Sequence, residues 1–176
     1  MPQPYILTAE LPGDVFAWAD GLRKAHFPPE RNHLAAHVTL FHAFAPSLRE
    51  ELRAMAAALA GEYAPPQAQV DGLLKLGGGT AIRLRSDGMS ALRGRIADRF
   101  ETMLTAQDQG TKVLHITVQN KVSAEAARAL QAELGPMLMP RRFAFTGLGL
   151  HLYHGPHWEA VGIWPFRGRA SADTRG

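Results

Sequence analysis

With 176 residues, 46% of them hydrophobic and 20% charged, the chain suits one compact unit rather than a repeat array or a disordered polymer. It has no cysteine, which excludes disulfides and thiolate catalysis, and no apolar run long enough to span a membrane. Its formal net charge of +3 suits a small anionic ligand without demanding long nucleic acid.

Residues 5–11 read as an opening strand, and Asp14 as the cap of a helix carrying Val15, Phe16, Trp18, Ala19 and Leu22 on one stripe. The Pro-rich segment that follows offers Arg31 and His33 as a flap or as a solvated loop. His37-Val38-Thr39-Leu40 lies in an apolar run that reads as a strand. Side chains alternate faces on a strand, so His37 and Thr39 point one way while Val38 and Leu40 face a core. The same alternation puts Phe41 with His37, as a stacking surface for a base or a packed cleft wall, and puts His42 on the core side as a structural histidine. A polar break at 45–47 precedes an Ala/Leu/Glu/Arg-rich helix ending near Gly61. Residues 70–76 and 80–85 then read as strands joined by the hairpin turn Gly77-Gly78-Gly79.

A helix from Asp87 to about Ala106, with Leu92, Ile96, Phe100 and Leu104 at helical spacing, opens the second half. His115-Ile116-Thr117-Val118 repeats the first tetrad 78 positions after His37. Gln119 and Lys121 share the His115 face, Lys121 being the first candidate for an extra phosphate contact or else a solvated lysine. Ser123 begins a helix to about Gly135, Arg141-Arg142 opens a surface strand, and 145–152 and 158–166 read as two more strands. Gly147 stands 75 positions after Gly72, so the order of elements repeats nearly in step with the tetrads. Tyr153 and Trp158 border the cleft or pack a hairpin. His151, His154 and His157 recur every third residue, which suggests a metal site, yet 151 and 154 point to opposite faces of a strand.

Strands and helices in this mixture, with hairpins and no regular βαβ series, give an α+β class. The expected architecture is one bilobal domain over 1–166: two pseudo-symmetric lobes of antiparallel sheet, halves about 1–86 and 87–166, with helices outside and a central cleft. Residues 167–176 read as a disordered tail. The N-terminus lacks a basic region followed by an apolar core, so a cytoplasmic location is expected, and a monomer.

Paired His-x-Thr-x tetrads with apolar x, in a duplicated α+β chain, resemble the two-histidine (2H) phosphoesterase superfamily, which includes bacterial 2'-5' RNA ligase-like proteins and RNA 2',3'-cyclic phosphodiesterases. The resemblance runs from Tyr5 to Phe166 and implies that His37, Thr39, His115 and Thr117 form the catalytic tetrad, in a two-lobed fold that needs no metal. Where the RNA ligase-like branch continues its first tetrad into a Phe-Leu-Gly-Glu-like segment, this chain has Phe41-His42-Ala43-Phe44; where the second continues Ala-Arg, it has Gln119-Asn120-Lys121.

Opening a cyclic phosphodiester with water requires a base on one side of phosphorus and an acid on the other, and two imidazoles of opposite protonation state supply both. Threonine hydroxyls would hold the non-bridging oxygens. The expected function is therefore metal- and cofactor-independent hydrolysis of 2',3'-cyclic phosphates, or related small cyclic phosphodiesters, of RNA ends or nucleotides. Reversible 2'-5' RNA ligation would accompany it, and no membrane partner is expected. Catalysis falls to His37 and His115, and substrate binding to Thr39, Thr117, Phe41, Gln119, Lys121 and Tyr153. Two other readings compete: a nucleotide or RNA-end binding module without turnover, and a metal hydrolase built on the 151–157 histidines.

Overall fold

Two antiparallel sheets form the frame in the computed structural model, which describes residues 2–169. The elements in chain order are β1 (Tyr5–Glu10), α1 (Gly13–His26), β2 (Val38–Phe44), α2 (Arg49–Glu62), β3 (Gln67–Leu76), β4 (Gly79–Arg85) and α3 (Asp87–Arg99). They continue with β5 (His115–Gln119), α4 (Ala124–Leu134), β6 (Arg142–Ala144), β7 (Gly147–His154) and β8 (His157–Pro165). One sheet has the order β2-β1-β7-β8 and the other β5-β4-β3-β6, so each tetrad strand is an edge strand. The class is α+β, as the sequence predicts.

The lobes are not the sequence halves. Each sheet takes two strands from before residue 86 and two from after it, because β7 and β8 return to pair with β1 while β3 and β4 accept β5 and β6. The duplication is thus interlaced: β1 and β4 occupy equivalent central positions, and so do β7 and β3.

Local sequence explains most helix ends. Ser86 accepts a hydrogen bond from the Met89 amide at 3.2 Å and Ser123 from the Ala126 amide at 3.1 Å, so α3 and α4 carry side-chain caps. Helix α1 has none; Asp14 lies in its first turn, where the exposed amides favour a negative charge, and meets Arg141 at 2.9 Å. Helix α3 stops at Arg99 instead of running to Ala106. Phe100 is buried against Phe44, with ring centroids 5.1 Å apart, and short 3-10 turns at Glu101–Met103 and Ala106–Asp108 then carry the chain across to β2. The tail does not begin at 167: the Arg167 amide bonds the Ala60 carbonyl at 2.8 Å and the Gly168 amide the Tyr63 carbonyl at 3.0 Å. Residues 170–176 of that expected tail lie outside the described residues. Among the described residues no helix is long and apolar enough to cross a membrane.

A β-bulge follows each His-x-Thr, and it decides which side chains reach the cleft. Thr8 opposes Thr39 but Leu7 opposes Phe41, leaving Leu40 extra; Ala81 opposes Thr117 but Thr80 opposes Gln119, leaving Val118 extra. One inserted residue reverses the facing of the residues that follow, and in β2 a second register shift between Phe41 and Phe44 turns Phe44 back into the core. The second bulge also presses β5 onto the β3–β4 hairpin, where a Cβ on Gly79 would overlap the Gln119 carbonyl and sit 2.7 Å from the Asn120 Cα. Gly79→Ala is therefore expected to destabilise the fold by about 2 kcal/mol, read as a lowered thermal midpoint; an unchanged midpoint would refute the close approach.

Candidate active site

His37 and His115 are held alike. Each ring places Nδ1 2.8 Å from the carbonyl two residues earlier, Ala35 for His37 and Val113 for His115. A carbonyl can only accept, so Nδ1 carries the proton and Nε2 is the nitrogen left for a ligand. Thr39 and Thr117 are partly exposed beside them, while Val38, Leu40, Ile116 and Val118 are buried to 1% or less.

The two edge strands β2 and β5 approach each other directly, and helices from opposite halves secure them. From α1, Arg23 Nη1 donates to the Thr117 carbonyl at 3.1 Å and Nε to Asn32 Oδ1 at 2.7 Å, with the guanidinium 4.2 Å above the Phe27 ring. From α3, Arg93 donates to the carbonyls of Leu40 at 2.9 Å, Gly110 at 3.0 Å and Asp108 at 2.8 Å. Each half thus ties down the other half's tetrad strand.

The pair is close enough to interact electrostatically. Burial, resisted by the Ala35 carbonyl and reinforced by the positive charges of Arg23, His151 and His115, pushes the His37 pKa down to about 4. At neutral pH His37 is an uncharged imidazole with a free Nε2 lone pair. Trp158 lies against it, ring centroids 4.7 Å apart.

The bulges correct three expectations, those for Phe41, Gln119 and His42. Phe41 does not join the cleft: it is fully buried beneath Arg93, whose guanidinium stands 4.4 Å from the ring centroid, and it packs on Phe44. Gln119, its pseudo-symmetric counterpart, is likewise turned inward, 6% exposed, and accepts from Thr80 Oγ1 at 3.0 Å. Lys121 is also displaced. Strand β5 ends at Gln119, and Lys121 turns away with φ 63° at the Gly78 end of the hairpin, beyond the far end of β5 from His115.

His42 moves the other way. The bulge puts it on the outward side, its Nδ1 3.0 Å from Asp108 Oδ1. Tyr153, 39% exposed, joins His42, Ile6 and Trp158 around an apolar cavity of about 310 Å³. Trp158 separates it from a second cavity, of about 330 Å³, lined by His37, Thr8, Glu10 and His151.

The 151–157 histidines diverge instead of converging: His151 reaches Thr8, His154 Nε2 lies 3.3 Å from Glu159, and His157 packs on His33 at 5.2 Å. Among the described residues no group of three or more metal-binding side chains is assembled.

Sequence reasoning missed Thr8, Glu10 and Arg23, and it considered His151 only as a metal ligand and not as a neighbour of His37. For Arg23 a signal existed, since Val15, Ala19 and Arg23 share one buried stripe of α1, and a buried arginine on a core stripe asks for a reason.

The family model of the 2'-5' RNA ligase superfamily matches residues 11–157. No curated protein matches the chain. Among solved structures, TT0787 of Thermus thermophilus superposes with a TM-score of 0.66 at 16% identity, covering 95% of this chain and 100% of that one. E. coli LigT complexed with 3'-AMP gives 0.61 at 17% identity, covering 94% and 99%; LigT complexed with NADP+ gives 0.60 at 17%, covering 95% and 99%. At such identities these structures establish a shared fold. The family match extends over most of the chain and includes both tetrads, and the protein belongs to the 2'-5' RNA ligase superfamily, the two-histidine phosphoesterases that its paired His-x-Thr motifs resemble.

Proposed function

We propose that the protein is a metal-independent phosphodiesterase that hydrolyses 2',3'-cyclic phosphates, or related small cyclic phosphodiesters, of RNA ends or nucleotides. The observation that carries this reading is the matched pair of Nδ1-to-carbonyl bonds, which hold two imidazoles with Nε2 available on facing edge strands. That E. coli LigT has been solved with 3'-AMP and NADP+ supports a nucleotide-sized ligand.

In the proposed reaction the substrate phosphorus sits between the rings. Uncharged His37 takes a proton from the attacking water through Nε2 as the water oxygen bonds to phosphorus. His115, protonated, passes its Nε2 proton to the ribose oxygen as the P–O bond breaks. Their mutual repulsion favours the singly protonated pair this requires. Thr39 and Thr117 donate to the non-bridging oxygens, and the buried Arg23 cation adds a positive field near His37, the role for which strand alternation nominates Lys121. The 2'-5' ligation expected to accompany hydrolysis uses the same cyclic phosphate with an RNA 5'-hydroxyl in place of water as the attacking group, and its reverse is cleavage of the 2'-5' bond back to the cyclic phosphate and the free 5'-hydroxyl.

Assaying 2',3'-cyclic mononucleotides and a cyclic-phosphate RNA end by phosphorus NMR tests the reading, with turnover expected to persist in excess chelator. Nucleotide binding without turnover of any panel member would overturn it in favour of a binding module. The pH profile follows from His37: because its pKa is lowered, the base stays competent until the pH falls to about 4. The acid limb of kcat/KM is therefore expected near pH 4, and a limb at about pH 6 to 7 would remove His37 from the base role.

A further inference from the structure

The cleft wall beside His37 carries a polar array that the opposite wall lacks. Thr8 Oγ1 lies 2.8 Å from Glu10 Oε1 and 3.1 Å from His151 Nε2. A carboxylate only accepts, so the Thr8 hydroxyl donates to Glu10 and accepts from the His151 Nε2–H. The His151 imidazole, 3.9 Å away, is the main influence that holds the Glu10 carboxyl below the usual carboxylate range; Thr8 assists, against burial. Gly149 makes the room: a Cβ there would run into Glu10 Oε1 and lie 2.6 Å from Thr8 Oγ1 and 3.0 Å from His151 Nε2.

The fold does not demand these residues. Thr8 opposes Thr39 as Ala81 opposes Thr117, and the position equivalent to Glu10 is Arg83, which stands opposite His115. One histidine therefore has a carboxylate at the cross-strand position, and the other an arginine whose Nε donates instead to the Asp71 carbonyl on β3 at 3.2 Å. A buried threonine and a largely buried carboxylate have been placed on one wall only, in a cavity of about 330 Å³ that also includes His37 and Trp158. That volume is at the small end of ligand sites.

Within the array the described donors are engaged internally. Glu10 Oε2 has no hydrogen-bond partner among the described residues, and a carboxylate oxygen is an acceptor. We propose that the cavity is a subsite for an uncharged hydrogen-bond donor on the substrate, a hydroxyl or amino group, and that Glu10 turns away substrates carrying a second phosphate on this side. A fixed negative charge in a partly buried wall repels a second anion more strongly than the same charge in water. This inference rests on the phosphodiesterase reading and narrows its substrate class to compounds with no second phosphate on the Glu10 side of the reacting phosphorus.

Calorimetric titration of 3'-AMP and of adenosine 3',5'-bisphosphate into the wild-type protein and Glu10→Gln tests it. Glutamine keeps the shape and an acceptor for Thr8 while removing the charge. The wild type is expected to favour the monophosphate at least tenfold, and Glu10→Gln to narrow the gap below threefold by improving bisphosphate binding. Equal affinity of the wild type for the two ligands overturns the subsite without using any variant, and so does a preference that Glu10→Gln leaves intact. Either result, with 3'-AMP still bound, leaves the phosphodiesterase reading standing. If neither nucleotide binds the wild type, that reading and the subsite fall together.

Discussion

Replacing His37 with alanine is expected to lower kcat/KM for cyclic phosphate hydrolysis by roughly a hundred- to ten-thousandfold, and His115→Ala by a similar factor, because each removes one of two coupled proton transfers. The double variant should be little worse than either single one, since a base without its acid no longer completes the displacement. The fold should survive, because each ring is anchored mainly through one Nδ1 bond to a neighbouring carbonyl. His115→Asn separates placement from chemistry: an amide can still donate to the Val113 carbonyl yet cannot shuttle a proton, so it should be as inactive as His115→Ala. Loss confined to KM, with kcat retained, would show that these residues bind and do not transfer protons.

Asp108→Ala is expected to cost about 3 kcal/mol of stability by stranding buried backbone donors, and to lower the thermal midpoint by roughly 6–12 °C. Its side chain is fully buried, its two oxygens lie 2.9 Å from the His42 amide, and Oδ2 takes the Ala43 amide at 3.0 Å. These are the donors that the β2 irregularity leaves without strand partners. Burial would raise the Asp108 pKa, but the His42 side chain, the His42 and Ala43 amides and the His42 charge together hold it below its ordinary 3.8. For a depressed carboxylate the contribution is fully present above the unfolded value and is lost as pH falls through the folded one. The deficit of the variant should therefore be constant from about pH 5 to 8 and shrink only in stronger acid. A variant melting within about 2 °C of the wild type at neutral pH would refute this.

Much of the site was legible because strand alternation is local physics: His37 with Thr39, and His115 with Thr117, share a face as the period of two requires. Alternation failed at the next step for one reason, repeated in both copies. Neither Phe41 nor Gln119 signals an inserted residue at 40 or 118, since the bulge is held by Asp108 and Arg93 in one copy and by the hairpin contact at Gly79 in the other. Those partners are distant in sequence. Helix α3 reads too long because Leu104 continues the helical spacing past Phe100, while the need to deliver Asp108 to β2 ends the helix earlier. The pairing of Glu10 with His151 escapes a sequence reading because the two become neighbours only when β7 pairs with β1.

Interlacing of the sheets has a kinetic cost. Strand β1 leaves the ribosome well before its partner β7, which begins only at Gly147, so at about 5–20 residues per second it waits on the order of ten seconds for its second neighbour. During that interval its apolar edge is bare, and neither half of the message encodes a product able to close a sheet alone. Folding is thus governed by late, long-range closure, which waits until the β7–β8 hairpin has been made.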